Sequence, residues 1–283
     1  MTAFAAARRH ASGRGTLIAA AIVVAFVALL FLTGRIDGRK WQPFLELSTW
    51  RFLGEGLLVT LGVAGAALLL SMGFGLVLGV LRAALPGRAG WSVAIPMELA
   101  RATPILTILL VVFFGLLRAG GSRDPAIAGI IGLTIYNSAV IGEIVRAGIA
   151  SIARGESEAA RSLGLSYIQT MRAVVLPQAL ARMTPALVSQ LITLIKDTSL
   201  LFILAAPEVL SQGRAFVNFY SQQVGSVLLE TYFVIACIFF AINYPLSRFS
   251  RRLEARRPAH ERVHVLGEED QPIVLAEPTA GRP

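Results

Sequence analysis

Residues 54–81 read GEGLLVTLGVAGAALLLSMGFGLVLGVL, a stretch of 28 residues in which Glu55 is the single ionisable side chain. A helix rises about 1.5 Å per residue, so a helix of this length exceeds the roughly 30 Å hydrocarbon core of a bilayer. Backbone polar groups must be satisfied within the chain where water is absent, and a helix does this locally. The stretch therefore predicts a membrane-spanning helix.

Similar stretches recur along the rest of the chain. Five more apolar runs are long enough to cross a bilayer; they cover residues 16–33, 93–117, 126–145, 185–207 and 226–247. The chain of 283 residues is 55% hydrophobic and 15% charged, whereas a soluble domain carries about 25% charged residues. We predict an all-α polytopic membrane protein of about six helices.

The first run, residues 16–33, follows three arginines and could be interpreted as a secretory signal peptide. Its apolar part is too long for a signal peptide, and the next residues, GRIDGRKW, lack a small-x-small cleavage pattern. We therefore expect a retained helix.

Basic residues set the predicted orientation. The chain has 24 Arg and two Lys and a formal net charge of +9. They lie mostly in links and tails, without the basic helix of a nucleic-acid surface, so we expect no nucleic-acid partner. If the N terminus lies in the cytoplasm, 17 of the basic residues lie in cytoplasmic segments and seven in external ones. This excess agrees with the rule that Lys and Arg are retained on the cytoplasmic side. Both termini are predicted to be cytoplasmic.

Composition divides the chain into three segments. Residues 1–51 hold an N-terminal arm, the first span and an external link. Residues 52–255 hold the other spans, with the longest polar link at about 150–180. Residues 256–283 are polar and rich in Pro and Glu, which predicts a disordered tail. Cys237 is the only cysteine, so a disulfide or a cysteine metal site within the chain is excluded, and we expect neither a metal nor a cofactor.

The long link contains signals for a short helix. Residues 154–180 read RGESEAARSLGLSYIQTMRAVVLPQAL. Glu156 and Glu158 are predicted to lie in a first turn, where carboxylates interact favourably with the helix dipole. Gly164 is expected to end this helix, which we place at residues 156–163.

A second helix is predicted to follow at once. Ser166 and Gln169 have the spacing of a capping box. Pro177 is expected to end this helix, because proline has no N–H to donate.

The short helix carries a small apolar strip formed by Ala159, Ala160 and Leu163 and flanked by Glu158 and Arg161. Small side chains permit the close approach of another protein, and the two charges would fix its register. Alternatively, the strip packs against the helices of its own chain. Periodicity leaves both interpretations open.

Ionisable side chains inside predicted spans need a physical reason, and Glu98, Arg101, Glu143, Lys196 and Asp197 are the candidates for a functional one. Such groups are costly at the bilayer centre. Glu98, Arg101 and Glu143 lie near cytoplasmic ends, where long side chains can reach the interface. Lys196 and Asp197 lie deeper and need different partners or a water-filled cavity, because sequence neighbours point in different directions on a helix.

The third span is interrupted by Thr103 and Pro104. This pair suits a helix start or a kink, and the freed backbone groups lie close to Arg101. A broken helix can line a translocation path, or the kink can serve packing only. We hypothesise that Arg101 or Lys196 neutralises the carboxylates of an acidic substrate.

Known catalytic motifs are absent from the sequence. A P-loop needs Gly before Lys, but Lys40 follows Arg39 and Lys196 follows Ile195. HExxH, GxSxG and EF-hand patterns are also missing. We expect a protein that is not an enzyme and depends on another polypeptide for any ATP hydrolysis. An ion-coupled secondary transporter using Glu143, Lys196 and Asp197 is the main alternative, and a structural membrane scaffold is a third.

The string EAARSLGLSYIQTMRAVVLP, residues 158–177, resembles the EAA loop of ABC-importer permeases. Three further stretches resemble the polar amino-acid branch of that family: RATP at residues 101–104, YNSAVIGEIVRAGIASIARGESEAA from residue 136, and LIKDTSLL at residues 194–201. The resemblance covers roughly residues 52–255 and is greatest to actinobacterial glutamate-uptake permeases.

The resemblance implies a type I ABC-importer-like transmembrane helix bundle with a cytoplasmic coupling helix. It implies an ATPase-coupling site made of Glu158, Ala159, Ala160, Arg161, Gly164 and Pro177. The implied substrate path consists of Arg101, Thr103, Pro104, Glu143, Lys196, Asp197, Thr198 and Ser199. The implied partners are two ATPase subunits, a second permease copy or a related permease, an extracytoplasmic amino-acid-binding protein and membrane lipid. The implied location is the bacterial plasma membrane.

Overall fold

A computed structural model describes residues 37–85 and 87–255, and within these residues the regular structure is helical, without strands. A 3₁₀-helix, Gly38–Leu45, comes first. The α-helices are α1 (Leu47–Ala84), α2 (Gly87–Ala102), α3 (Ile105–Arg118), α4 (Pro125–Ala150), α5 (Arg154–Ser162), α6 (Tyr167–Thr170), α7 (Leu176–Asp197), α8 (Val209–Val224) and α9 (Leu228–Ala255). The predicted span at residues 16–33 and the predicted disordered tail lie outside the described residues.

Among residues 37–85 and 87–255, four helices are long and apolar enough to cross a membrane: Leu47–Ala84, Pro125–Ala150, Tyr167–Leu204 and Leu228–Leu253. The pair α2 and α3 meets the same criterion jointly but is bent by 102°. These elements coincide with the five predicted spans that the structure describes, which confirms the all-α membrane fold. The predicted kink at Pro104 is also confirmed, because the helix breaks between Ala102 and Ile105.

One compact unit consists of residues 37–58 and 207–237. Its interior is aromatic: the Phe44 and Phe216 rings lie 5.0 Å apart, and the Trp41 and Phe233 rings 6.1 Å apart. Glu208 begins α8 by accepting hydrogen bonds from the backbone N–H groups of Leu210 and Ser211. Burial raises the pKa of the Glu208 carboxyl, although these two bonds act in the opposite direction. Helix α8 is not among the helices predicted from the sequence.

The second unit consists of residues 59–206 and 238–255, apart from the undescribed residue 86. Its main apolar core includes the fully buried Leu109, Leu133 and Leu201. Helices α1 and α4 pack closely at Gly79, where an added Cβ would lie only 2.5 Å from the backbone carbonyl oxygen of Gly142. Any larger side chain at Gly79 would push the two helices apart.

Many large apolar side chains of this unit are exposed, such as Leu69, Phe74, Val77, Leu99 and Val111. In water such a surface would favour association. In a bilayer the same side chains face lipid or a neighbouring subunit, as expected for a protein with several membrane spans.

Candidate functional site

The short helix of the long link is α5, and its position agrees with the prediction to within two residues. Glu156 lies in its first turn, as predicted. The prediction is wrong for Glu158, which lies in the second turn because the helix begins at Arg154 rather than Glu156. Glu158 is exposed to solvent.

The apolar strip of α5 is divided between two environments. Ala160 is buried against the rest of its own chain, whereas Ala159 and Leu163 are exposed, Leu163 to 82%. The guanidinium of Arg161 lies 5.6 Å from the centre of the Tyr167 ring. The Ala160 side of the strip therefore packs against its own chain, and binding of another protein at the exposed side stays a prediction.

Gly164 ends α5 with φ = +86°, in the left-handed region that favours glycine. Its N–H donates to the Arg161 carbonyl at 2.9 Å, and the Leu165 N–H donates to the Ala160 carbonyl at 3.3 Å. This pair of bonds is a Schellman motif, which satisfies the last free carbonyls of the helix. The predicted helix end is confirmed.

Hydrogen bonds attach the link to α7. The Arg182 guanidinium donates to the Ser151 carbonyl at 2.6 Å, and the Gln178 amide donates to the Glu156 carboxylate at 3.5 Å. Both contacts join the N-terminal end of α5 to the membrane-spanning part of the unit.

The second predicted helix begins as expected but does not end at Pro177. Ser166 and Gln169 form both hydrogen bonds of the capping box. The chain then passes through a π-helical segment, Met171–Val175, and continues into α7. Pro177 has no N–H for the carbonyl of Ala173, and the wider π turn accommodates its ring, so the helix continues.

Four charged side chains of α2 and α4 form a cluster. An Arg101 nitrogen (Nη1) lies 3.3 Å from Glu98 Oε1 and 3.9 Å from Glu143 Oε2. Arg146 Nε donates to both carboxylate oxygens of Glu143 at 3.0 Å. The structure thus brings together two residues of the predicted path, Arg101 and Glu143, and each has a partner of opposite charge.

The break between α2 and α3 lies beside this cluster in sequence. The Thr103 hydroxyl donates to the Leu99 carbonyl at 2.7 Å. Pro104 precedes α3 and provides no side-chain hydrogen bond to its first turn. Helix α3 therefore starts without a capping side chain. This start lies at the 102° bend, inside the apolar span that α2 and α3 form together.

The remaining path residues lie where α7 changes into a 3₁₀-helix, Thr198–Leu204. Lys196 is exposed and Asp197 is half-buried. Neither forms an ion pair within 4.0 Å among the described residues. The hydroxyls of Thr198 and Ser199 both donate to backbone carbonyls of the preceding turn at 2.7 Å. In the part of the chain that the structure describes, no ion pair joins this group to Arg101 or Glu143.

A neutral polar pair inside the membrane-spanning region was missed. The Gln190 amide of α7 donates to Asn137 Oδ1 of α4 at 2.7 Å, and the Asn137 amide donates to the Leu133 carbonyl at 2.8 Å. Asn137 is fully buried. The predicted path did not include this pair, although an Asn in an apolar span is a signal that the sequence carries.

Comparison with known proteins shows relatives over most of the chain. The probable glutamine ABC transporter permease protein GlnP of Bacillus subtilis is 44% identical over 206 residues, which cover 73% of this chain and 94% of that protein. The glutamate transport system permease protein GluD of Corynebacterium glutamicum is 36% identical over 225 residues, 78% of this chain and 81% of that protein.

A solved structure has the same fold. The crystal structure of an amino acid ABC transporter with histidines matches with a TM-score of 0.67 and 27% identity, covering 75% of this chain and 96% of that one. The family described as "binding-protein-dependent transport system inner membrane component" matches residues 71–257, which include the charge cluster, α5 and α7. The chain belongs to this family of ABC-importer permeases.

Proposed function

We propose that this chain is the permease subunit of an importer for a polar amino acid, with glutamine and glutamate as the candidate substrates. The observation that carries the proposal is the 44% identity to a probable glutamine permease across 94% of its length. The glutamate permease relative, at 36% identity, supports the same class of substrate. Membership of the ABC-importer family argues against an ion-coupled secondary transporter and a scaffold.

The chain couples to ATP hydrolysis through α5. This helix presents Glu158, Ala159, Arg161 and Leu163 on its exposed side, while the buried Ala160 anchors it. Hydrogen bonds of Ser151 and Glu156 to α7 connect it to a membrane span. Because α5 is attached in this way, a push from an ATPase subunit is transmitted to the span. Two ATPase subunits would each grip one such helix, and their closure would turn the path outward.

Within the membrane, Lys196 is the better candidate for binding a substrate carboxylate. Arg101 already lies near the carboxylates of Glu98 and Glu143. Lys196 is exposed and has no carboxylate within 4.0 Å among the described residues, so its charge is available to a ligand. Asp197, Thr198, Ser199 and the break at Thr103 and Pro104 complete the proposed path.

The proposed assembly contains two permease copies, or this chain with a related permease, and an extracytoplasmic binding protein that delivers the substrate. ATP hydrolysis takes place on the partner subunits, since the sequence has no P-loop. Residues 52–255 form the transport core, and residues 256–283 form a tail. The chain lies in the bacterial plasma membrane with both termini in the cytoplasm.

Reconstitution in proteoliposomes tests the transport proposal. We expect uptake of labelled glutamine or glutamate only when the chain is combined with an ATPase subunit, a binding protein and internal ATP. Lys196→Glu should lower uptake of glutamate more than uptake of glutamine, because it places like charge beside the acidic side chain. Uptake driven by a sodium or proton gradient without the ATPase would overturn the proposal.

Co-purification with the ATPase subunit tests the coupling surface. Glu158→Arg reverses an exposed charge and Gly164→Asp alters the turn that ends α5, so both should reduce recovery of the ATPase with the permease. Arg123→Glu reverses an exposed charge in the link between α3 and α4 and serves as the control. Equal recovery of the ATPase in all three variants would place the contact elsewhere.

A further inference from the structure

A basic pocket lies between the ends of three helices of the second unit. It has a volume of about 280 Å³ and is bounded by α1, α2 and α4; its lining residues are Arg82, Leu85, Gly87, Gly90, Trp91, Ala94 and Arg146. The count of basic residues places these helix ends on the cytoplasmic side. Tryptophan is enriched at this level of a bilayer, where its ring meets the headgroups.

The positive charge of the basic pocket is only partly neutralised. Arg146 is paired with Glu143. Arg82 has no carboxylate within 4.0 Å among the described residues, and its Nε is buried without a hydrogen-bond acceptor there. The first turn of α2 also lines the pocket, and a helix N-terminus favours anions because its leading N–H groups point outward. The lining of the pocket therefore favours an anion.

A second cavity, the apolar groove, lies between the same three helices. Its volume is about 490 Å³, and its lining is almost entirely apolar, with Phe74 and Leu78 from α1, Pro96 and Met97 from α2, and Ile131 and Ile135 from α4. Along α1, Leu78 of the groove is four residues from Arg82 of the pocket, a rise of about 6 Å. Along α2, Pro96 of the groove is two residues from Ala94 of the pocket.

We propose that this cleft binds one phospholipid with a net negative headgroup. The headgroup phosphate lies in the basic pocket against Arg82, and an acyl chain lies in the apolar groove. A free phosphate would use the pocket alone and would leave the groove empty. A zwitterionic lipid would bring its own cation close to Arg82 and Arg146, whereas an anionic lipid complements their charge.

Native mass spectrometry of the full chain, purified in detergent with its co-purifying subunits, tests this site. The probes are phosphatidylglycerol, phosphatidylcholine and inorganic phosphate. We expect one tightly held phosphatidylglycerol, weaker retention of phosphatidylcholine, and no displacement of the lipid by inorganic phosphate at equal concentration. Displacement by phosphate, or equal retention of both lipids, would overturn the proposal.

Paired arginine variants locate the site. Arg82→Gln should lower the affinity for phosphatidylglycerol about five-fold or more, the effect of one cation next to an anionic headgroup. Arg88→Gln removes the same charge from an exposed residue that does not line the pocket and should change the affinity less than about two-fold.

Arg82→Lys controls for folding, because it keeps the charge and should keep most of the lipid binding. If Arg82→Gln and Arg88→Gln lowered the affinity for phosphatidylglycerol equally, the effect would be one of overall charge, and the proposed site would be wrong. Loss in Arg82→Lys as large as in Arg82→Gln, with normal elution of the complex, would show that the charge of Arg82 is not what binds the lipid.

Discussion

The turn after α5 and the turn after the 3₁₀-helix Thr198–Leu204 have the same backbone geometry. Each ends its helix with a left-handed residue, Gly164 at φ = +86° and Ala205 at φ = +57°. At Ala205 the N–H donates to the Phe202 carbonyl, and the next N–H donates to the Leu201 carbonyl, both at 3.1 Å. These are the two hydrogen bonds of a Schellman motif, as at Gly164.

The two regions differ in what their side chains contact. Before Gly164, Glu158 and Leu163 are exposed. Before Ala205, Leu201 and Leu204 are buried in the main core. One backbone pattern thus ends a helix with an exposed surface in one place and a helix packed into the main core in the other. Changes in the first region should therefore affect binding, and changes in the second should affect stability.

Truncating a leucine in each region should give the largest contrast. Leu201 is 1% exposed and packs into the space left by Gly129. Leu201→Ala should lower the free energy of unfolding by about 2–4 kcal/mol, because it leaves a cavity. Leu163→Ala, at an 82% exposed site, should change stability by less than about 0.5 kcal/mol.

Denaturant unfolding of the purified protein in detergent measures both leucine variants. Co-purification with the ATPase subunit should show the opposite order. At a temperature where both variants are folded, Leu163→Ala should reduce recovery of the ATPase more than Leu201→Ala does. A stability loss of similar size in the two variants would break the comparison.

Glutamine substitutions on α7 sharpen the same contrast. Gln190→Leu would leave the buried Asn137 Oδ1 without its donor and should destabilise the protein by about 1–2 kcal/mol. Gln178→Leu removes an exposed hydrogen bond of 3.5 Å near the link and should change stability by less than about 0.5 kcal/mol. The midpoints of thermal unfolding give the result, and a larger shift for Gln178→Leu would contradict it.

Substitutions of the two turn residues, Gly164→Ala and Ala205→Gly, should give the smallest changes in stability, and the two changes should have opposite signs. Left-handed backbone costs a non-glycine residue about 1–2 kcal/mol, whereas the extra unfolded-state freedom of glycine costs about 0.4–1 kcal/mol. The first effect is larger, so Gly164→Ala should destabilise by about 1 kcal/mol and Ala205→Gly should stabilise by a similar amount. An added Cβ at Gly164 meets nothing within 4 Å, so packing does not obscure the first result. Calorimetry of both variants checks the signs, and the same sign in both would refute the argument.

The spans, the C-terminal end of α5 and the start of α6 could be predicted because their signals are local. Apolar length identifies a span, Gly164 marks a left-handed turn, and Ser166 with Gln169 marks a helix start. The predicted coupling and path roles of these regions remain proposals.

Other features depend on contacts between distant parts of the chain. The hydrogen bond between Asn137 of α4 and Gln190 of α7 joins two residues that are 53 positions apart in the sequence. Helix α8 is amphipathic and buries Phe216 against Phe44, so its apolar content alone does not reveal it. Ala205 gives no sequence signal for a left-handed turn, because alanine disfavours that conformation. The surrounding core imposes it.

The π-helical segment Met171–Val175 has a consequence for insertions and deletions in this family. A π turn contains one more residue than an α turn needs, so deleting one residue there, such as Ala173, could restore a regular helix. Each residue turns an α-helix by about 100°, so the deletion would rotate α6 and the link before it relative to α7. The exposed side of α5 would then face a different direction. We therefore expect a single-residue deletion in this segment to change the direction of the exposed side of α5 more than a substitution there would.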